Sequence, residues 1–176
     1  MKKPLHFLLT LNLLLVFQFQ AKAQFFPEKP MLNAGVGFSG YGIPIYASID
    51  FPVSDNITVG GSVSFQTNTE NFGFNDTRWK HTIFGIGARG DYHFNELLDV
   101  PDEWDLYAGV SLEYYSWETK LKGGGEAIYR GSGSGGLGFS GRVGCRYFFN
   151  EKLGANLEFG GGSVLSSGRI GITVLL

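Results

Sequence analysis

The sequence contains a single cysteine, Cys145, so no disulfide bond can form within the chain. Charged residues are also scarce, at 17% of the total, and basic ones are the minority. Of the 14 Lys and Arg, three (Lys2, Lys3 and Lys22) precede a predicted cleavage site, which leaves 11 against 16 Asp and Glu, a net charge of −5. This balance argues against nucleic acid as a partner, and the fold must be stable without disulfides.

The first 23 residues have the organisation of a secretory signal peptide. Two lysines precede an apolar run over residues 5–19, and Ala21-Lys22-Ala23 forms a small-x-small cleavage site. This run of about 15 residues is shorter than the roughly 20 that a helix needs to span a bilayer. We therefore predict cleavage before Gln24, rather than an uncleaved anchor. Residues 24–30 then form an N-terminal lead and residues 31–176 a single β domain.

Glycine and aromatic residues, in contrast, are abundant: 27 Gly, 16 Phe, 8 Tyr and 3 Trp. Apolar side chains recur at every second position in the β domain, which indicates strands rather than helices. The alternating segments are residues 32–38, 43–51, 57–66, 81–94, 104–115, 137–149, 153–160 and 169–176. Eight such segments with no helical pattern between them predict an all-β fold, an eight-stranded antiparallel up-and-down β-barrel.

The composition of the two strand faces predicts a transmembrane barrel with its apolar face outward. The other face carries mainly Gly, Ser and Thr, which a narrow eight-stranded lumen can accommodate. The mature lysines all fall in turns, loops or strand ends, whereas a soluble barrel would carry many on its exterior. Aromatic residues of the apolar face concentrate near the strand ends, as in interfacial girdles. The alternative is a soluble, lipocalin-like barrel with an apolar interior.

The lengths of the connections predict the orientation. Short turns near residues 52–56, 95–103 and 150–152 alternate with longer loops over residues 67–79, 118–136 and 161–168 and with a short hairpin at 40–42. Outer-membrane barrels keep short turns on the periplasmic side and longer loops outside. We therefore expect both termini in the periplasm of a bacterial cell.

The signal peptide and the eight alternating segments together resemble the small outer-membrane β-barrel superfamily, which includes OmpX, the OmpA membrane domain and OmpW-like proteins. The resemblance is architectural and covers the chain from about Met31 onward. It implies outer-membrane lipid and lipopolysaccharide as surroundings and the barrel-assembly machinery as a partner. Such barrels commonly end on an aromatic residue that this machinery recognises, whereas this sequence ends Thr173-Val174-Leu175-Leu176.

Charged residues on the polar face are predicted to pair inside the lumen, because isolated charges in a narrow interior would be costly. The five acids and four arginines are Asp50, Arg89, Asp91, Asp105, Glu113, Arg142, Arg146, Glu158 and Arg169. One interpretation is a structural ion-pair network that closes the barrel. The other is a charged constriction in a narrow porin-like channel for small solutes.

Evidence for other chemistry is weak. His81, expected near Glu113 and Ser111, is the one candidate for a lipid-modifying activity, and we predict no enzyme. The histidines and the cysteine show no metal-ligand spacing, and neither a metal nor a cofactor is expected. The outward 67–79 loop has a composition suited to contact with an extracellular or envelope protein, through Phe72, Phe74, Arg78 and Trp79.

Overall fold

The computed structural model describes residues 29–40, 42–71, 78–122, 133–163 and 166–176. These residues form eight strands and one short helix. In chain order they are β1 (Met31–Ser39), β2 (Ile45–Ser54), β3 (Ile57–Asn71), β4 (Arg78–His93), α1 (Asn95–Leu98), β5 (Trp104–Lys122), β6 (Gly133–Phe148), β7 (Leu153–Gly162) and β8 (Ser166–Leu175). Each strand pairs antiparallel with its neighbours in sequence, and β1 pairs with β8, which closes the barrel. The predicted eight-stranded up-and-down barrel is confirmed.

The alternation in the sequence becomes a polar interior and an apolar exterior. Buried side chains are mostly polar or charged, including the fully buried Asp50, Asp105 and Arg146. Large apolar side chains stand exposed on every strand, for example Val36 on β1 and Val143 on β6. A lipocalin-like barrel would have the opposite arrangement, so that alternative is wrong. No helix in the described part of the chain is long and apolar enough to cross a membrane.

The outer face of β5 shows how far the apolar band extends. Alternate residues from Trp104 to Tyr114 point outward and are apolar, a length of about 11 residues, as a tilted strand needs to cross a bilayer. The next outward residues, Ser116, Glu118 and Lys120, are exposed and polar, and the last two form an ion pair at 2.8 Å. The band therefore ends at Tyr114, and β5 continues beyond it.

Aromatic side chains mark both edges of this band. At the end with the short turns, hereafter the turn end, Trp104 and Tyr147 lie with ring centroids 4.9 Å apart, and Phe149 contacts Tyr147 at 5.6 Å. At the opposite loop end, Phe65 and Tyr114 are exposed on the outside. Rings in these positions suit the headgroup region of a membrane.

Three hairpins are longer than the sequence pattern predicts. β3 and β4 remain paired as far as Asn71 and Arg78, and β5 and β6 as far as Glu118 and Gly133. Much of the predicted 67–79 and 118–136 loops is therefore strand, and β7 and β8 likewise extend into the predicted 161–168 loop. The backbone ladder continues where outward-facing residues such as Thr69, Lys80 and Glu118 are polar, so the alternation of apolar side chains no longer indicates the strand. We call these parts of β3–β6 (residues 67–71, 78–83, 115–122 and 133–137) the projecting sheet.

The predicted absence of helix is also wrong at one turn. α1 occupies the 95–103 connection as a single helical turn. The Asn95 side chain fixes it to β5, because its Nδ2 donates to the Trp104 carbonyl at 3.0 Å and its Oδ1 accepts from the Leu106 N–H at 2.8 Å. Four residues are too few to produce a helical period in the sequence.

Glycines on the inner face make room for large lumen side chains. Gly144 on β6 lies opposite Tyr107 on β5, and a Cβ added there would stand 2.4 Å from the Tyr107 ring. The ring cannot easily move away, since Tyr107 is buried and its hydroxyl donates to Glu158 at 2.8 Å. On the outer face of the same strand, nothing lies within 4 Å of a Cβ added at Gly141.

We predict that Gly144→Ala lowers the free energy of unfolding by about 1–3 kcal/mol, the usual cost of an overpacked interior. Urea unfolding in lipid vesicles would measure the change. Gly141→Ala, on the same strand but with free space, is the control and should be close to neutral. Equal effects of the two substitutions would contradict the packing argument.

Candidate functional site

The nine charged residues predicted for the lumen all lie on the inner wall of the barrel. They come from six strands, β2 and β4–β8, and seven of them are buried, with Arg142 and Arg169 half-buried. Their ion pairs form a continuous network across the lumen rather than a set of isolated pairs. Its parts are described from the turn end toward the loop end.

Arg146 is the centre of the half nearer the turn end. The side chain is fully buried, and its Nη1 donates to Asp105 Oδ2 at 2.5 Å while Nη2 donates to Asp50 Oδ2 at 3.1 Å. Its Nε donates to Asn33 Oδ1 at 3.4 Å, and its guanidinium lies 4.1 Å from the centroid of the Tyr107 ring. All three nitrogens thus have partners, as a buried guanidinium requires.

His93 joins this half of the network. Its Nδ1 lies 2.6 Å from Asp105 Oδ1 and its Nε2 lies 3.0 Å from Thr58 Oγ1, and all three side chains are buried. The sequence pattern alone did not assign His93 to the network. The signal that could have found it is its position on the same alternating face as Arg89 and Asp91.

Arg89 is the centre of the middle layer and contacts three carboxylates. Its Nε lies 3.1 Å from Asp50 Oδ1, and its Nη2 lies 3.1 Å from Asp91 Oδ2 and 2.6 Å from Glu158 Oε1. Since Asp50 also contacts Arg146, that one carboxylate joins the two layers. These contacts link β4 to β2 and β7, and β2 to β6. The linked strands are not neighbours in the sheet.

The remaining charges, Arg142, Arg169 and Glu113, lie nearer the loop end. Arg142 Nη2 donates to Asp91 Oδ1 at 2.6 Å. Arg169 is more loosely placed, with Nη atoms 3.9 Å from both Glu113 and Glu158. Glu113 accepts from the Tyr115 hydroxyl and, at 2.8 Å, from the Ser62 hydroxyl.

A chain of neutral groups that the sequence reasoning did not single out completes the inner wall. The Tyr46 hydroxyl donates to Asn156 Oδ1 at 2.6 Å, Asn156 Nδ2 donates to Thr173 Oγ1 at 3.0 Å, and Thr173 donates to Asn33 Oδ1 at 2.7 Å. Asn33 Nδ2 in turn donates to Asp50 at 2.9 Å. These residues share the polar face of the alternation, but only the closed barrel joins them.

The lumen differs at its two ends. At the turn end Met31, Phe148 and Leu175 form a buried apolar cluster below the Arg146 layer. Toward the loop end the network forms the floor of a small cavity of about 50 Å³. The wall of the cavity includes Gln66, Tyr115 and Arg142.

No protein-family model matches the chain, and neither does any curated protein sequence. Solved structures do match. The N-terminal β-barrel domain of Pseudomonas aeruginosa OprF aligns over 86% of this chain and 99% of its own, with a TM-score of 0.63 and 11% identity. Neisserial surface protein A aligns over 84% and 95%, with a TM-score of 0.54 and 15% identity. Ail, the attachment invasion locus protein of Yersinia pestis, aligns over 84% and 97%, with a TM-score of 0.52 and 9% identity.

The fold is that of the small outer-membrane β-barrels. Identities this low establish the architecture and leave the activity to be argued from the side chains.

In this outer-membrane-type barrel, His81 does not lie where the sequence suggested. It faces Thr119 across the β4–β5 pair, with Nδ1 3.0 Å from Thr119 Oγ1. The expected neighbours are farther down β5, because Ser111 pairs with Arg89 and Glu113 with Gly87. The expectation of a His81–Glu113–Ser111 group is therefore wrong.

The structure describes two of the four residues predicted for surface contact, Arg78 and Trp79. Trp79 belongs to β4 and lies on the inner-facing side of the projecting sheet rather than in a loop. Arg78 begins β4, whereas Phe72 and Phe74 lie outside the described residues. Within the described residues, no group of three or more His, Cys, Asp or Glu side chains is placed to hold a metal ion.

The barrel's buried charge network leads to a stability prediction. Arg146→Met should lower the free energy of unfolding by about 3–5 kcal/mol, because Asp50 and Asp105 would lose the guanidinium that compensates their burial. Denaturant titration in lipid vesicles measures this loss.

Two further variants test its cause. Arg146→Met combined with Asp105→Asn should recover part of the loss, since one buried carboxylate is then neutral. Lys120→Met removes an exposed partner of Glu118 and should change stability by about 1 kcal/mol or less. If Arg146→Met also changed the free energy of unfolding by about 1 kcal/mol or less, the network would not be compensating buried charge.

Proposed function

We propose that the chain is a bacterial outer-membrane protein whose closed lumen makes it a rigid, non-conducting and non-enzymatic barrel. In this role it presents its projecting sheet to an extracellular or envelope protein. The observation that carries the proposal is the ion-pair network, in which Arg146 and Arg89 link carboxylates from opposite parts of the wall across the lumen.

The exterior of the barrel supports the membrane assignment. A solvent-exposed band of Val, Ile, Leu and Phe side chains around the whole barrel would be an aggregation hazard in water, whereas in a bilayer it faces acyl chains. Its surroundings would be outer-membrane lipid and lipopolysaccharide, and the barrel-assembly machinery would insert it. The periplasmic position of both termini and cleavage after residue 23 remain part of the proposal.

The lumen supports closure over conduction. The apolar cluster of Met31, Phe148 and Leu175 and the fully buried Arg146 both lie on the path along the barrel axis. An ion entering from the loop end would have to displace the guanidinium groups of Arg89 and Arg146, each of which contacts two or more carboxylates. The proposed absence of enzymatic activity rests on the contacts of His81, which pairs with Thr119 and lies away from Glu113.

The projecting sheet supports a role in surface contacts. It carries exposed polar groups on its outer side, such as Glu118 and Lys120, and Trp79 and Trp117 on its inner side, all beyond the apolar band. A partner could therefore approach it without entering the membrane.

Membrane embedding predicts a depth-dependent response to arginine on β5. Val110→Arg, in the middle of the apolar band, should lower the stability of the barrel in lipid vesicles by about 2–4 kcal/mol. Ser116→Arg lies on the same face beyond the band and should cost about 1 kcal/mol or less. Equal effects at the two positions would contradict the proposed membrane boundary.

A closed lumen predicts that the purified protein gives no steady current across planar lipid bilayers. Heat-dependent gel migration of the same sample would verify that the barrel is folded. A stable open-channel current from folded protein would contradict closure and favour the alternative, a narrow porin-like channel for small solutes.

A further inference from the structure

We propose that the outer face of the barrel over β2–β5 binds one molecule of a phosphorylated glycolipid of the lipopolysaccharide type. An acyl chain would lie in an apolar groove over β2–β4, and a phosphate group would contact two lysines beyond the groove on β4 and β5. This site rests on the membrane assignment proposed above and deepens it, because it distinguishes one side of the barrel as the place of a particular lipid.

The apolar groove follows the outer face of these strands toward the loop end. One part, of about 340 Å³, lies over Ala47 on β2 and Gly61 on β3. The other part, of about 190 Å³, extends to Phe65 and Phe84, at the edge of the apolar band. Ala47 and Val63 line both parts, so the groove is continuous. Its position within the band suits an acyl chain.

Small residues leave the space that forms this groove. Gly61 pairs with Ile49 on one side and with Ala88 on the other. A Cβ added at Gly61 would have only the Gly87 carbonyl oxygen within 4 Å, at 3.7 Å, which is an ordinary contact. A larger side chain at Gly61 would therefore occupy the groove without disturbing the sheet.

Beyond its aromatic edge, the outer face of the β3–β4 pair carries threonine hydroxyls and then a lysine. Thr67 pairs with Thr82, and the next outward pair is Thr69 with Lys80. Lys80 is four residues beyond Phe84, which is about 13 Å along a strand. A ligand that extends from the groove toward the loop end would meet hydroxyl groups first and a positive charge farther out.

This positive charge is only partly compensated. Lys80 pairs directly with Lys120 on β5, and like charges at opposite positions of a sheet repel each other. Lys120 contacts Glu118 at 2.8 Å, so one carboxylate serves the two lysines. A phosphate bound between the two ammonium groups would form charge-assisted hydrogen bonds and remove the repulsion.

The depth of this polar layer favours a glycolipid over a phospholipid. The phosphate of a phospholipid is joined closely to its acyl chains, at the level of the band edge and short of Lys80. In a phosphorylated glycolipid, sugar units carry the phosphate farther out. Their hydroxyls both donate and accept hydrogen bonds, as Thr67, Thr69 and Thr82 do.

The test is native mass spectrometry of the folded barrel in micelles of a non-ionic detergent, titrated with lipid A that carries two phosphates. The same lipid with one phosphate and phosphatidylglycerol are the matched probes. We expect one diphosphorylated lipid A per barrel. Binding should be about tenfold weaker for the monophosphorylated form and weakest for phosphatidylglycerol.

Charge variants locate the phosphate. Lys80→Gln combined with Lys120→Gln should weaken lipid A binding about tenfold or more. Lys29→Gln combined with Lys152→Gln changes the net charge equally at exposed positions of the turn end and should bind as the wild type does. Glu118→Gln removes the competing carboxylate and should tighten binding, a gain that partial unfolding could not produce.

Groove variants locate the acyl chain. Gly61→Leu fills the groove and should weaken lipid A binding about tenfold. Gly141→Leu, on the outer face of β6 with nothing within 4 Å of its Cβ, is the matched control and should bind as the wild type does. Heat-dependent gel migration verifies that each variant is folded.

Three results would overturn the site: equal binding of lipid A and phosphatidylglycerol, unchanged binding in the Lys80 and Lys120 double variant, or equal binding by Gly61→Leu and Gly141→Leu. None of these would alter the membrane boundary measured with Val110→Arg and Ser116→Arg. Failure of the site is therefore distinguishable from failure of the membrane assignment.

Discussion

Compensation of buried charge in a narrow lumen is the constraint on which the rest of the structure depends. A closed eight-stranded sheet with its apolar face outward must place its polar face inside, where water is scarce and an unpaired ion is very costly. Arg146, Arg89 and their carboxylates meet this constraint through forked contacts. The network in turn fixes the spacing of strands that share no backbone ladder, so the charge pairs and the barrel shape depend on each other.

Glycine and tyrosine have complementary roles in this interior. Where Tyr107 crosses toward Glu158, the opposite position on β6 is Gly144, which leaves space for the ring. The aromatic rings also cover guanidinium groups, as Tyr107 does for Arg146 and Tyr46 for Arg169. The high glycine content thus follows from filling a small lumen with large, hydrogen-bonded side chains.

The barrel is polarised along its axis. The turn end contains an apolar cluster and the most completely paired charges, whereas the loop end contains a cavity, loosely paired Arg169 and strands that continue past the apolar band. Rigidity is therefore concentrated at one end, and the groups that remain available for recognition lie at the other. This division is the physical basis for the proposed role, in which the barrel presents its loop end to a partner.

The sequence alone determined the strand number, the inward and outward faces and the nine lumen charges, because a period of two assigns every residue of a strand to a side. It could not determine where β3–β6 end, since backbone pairing continues past Thr67 and Gly136 after the apolar signal is lost. Nor could it predict that His93 joins Asp105, or that His81 meets Thr119. Those contacts depend on the register between strands and on closure of the barrel, which only the tertiary structure decides.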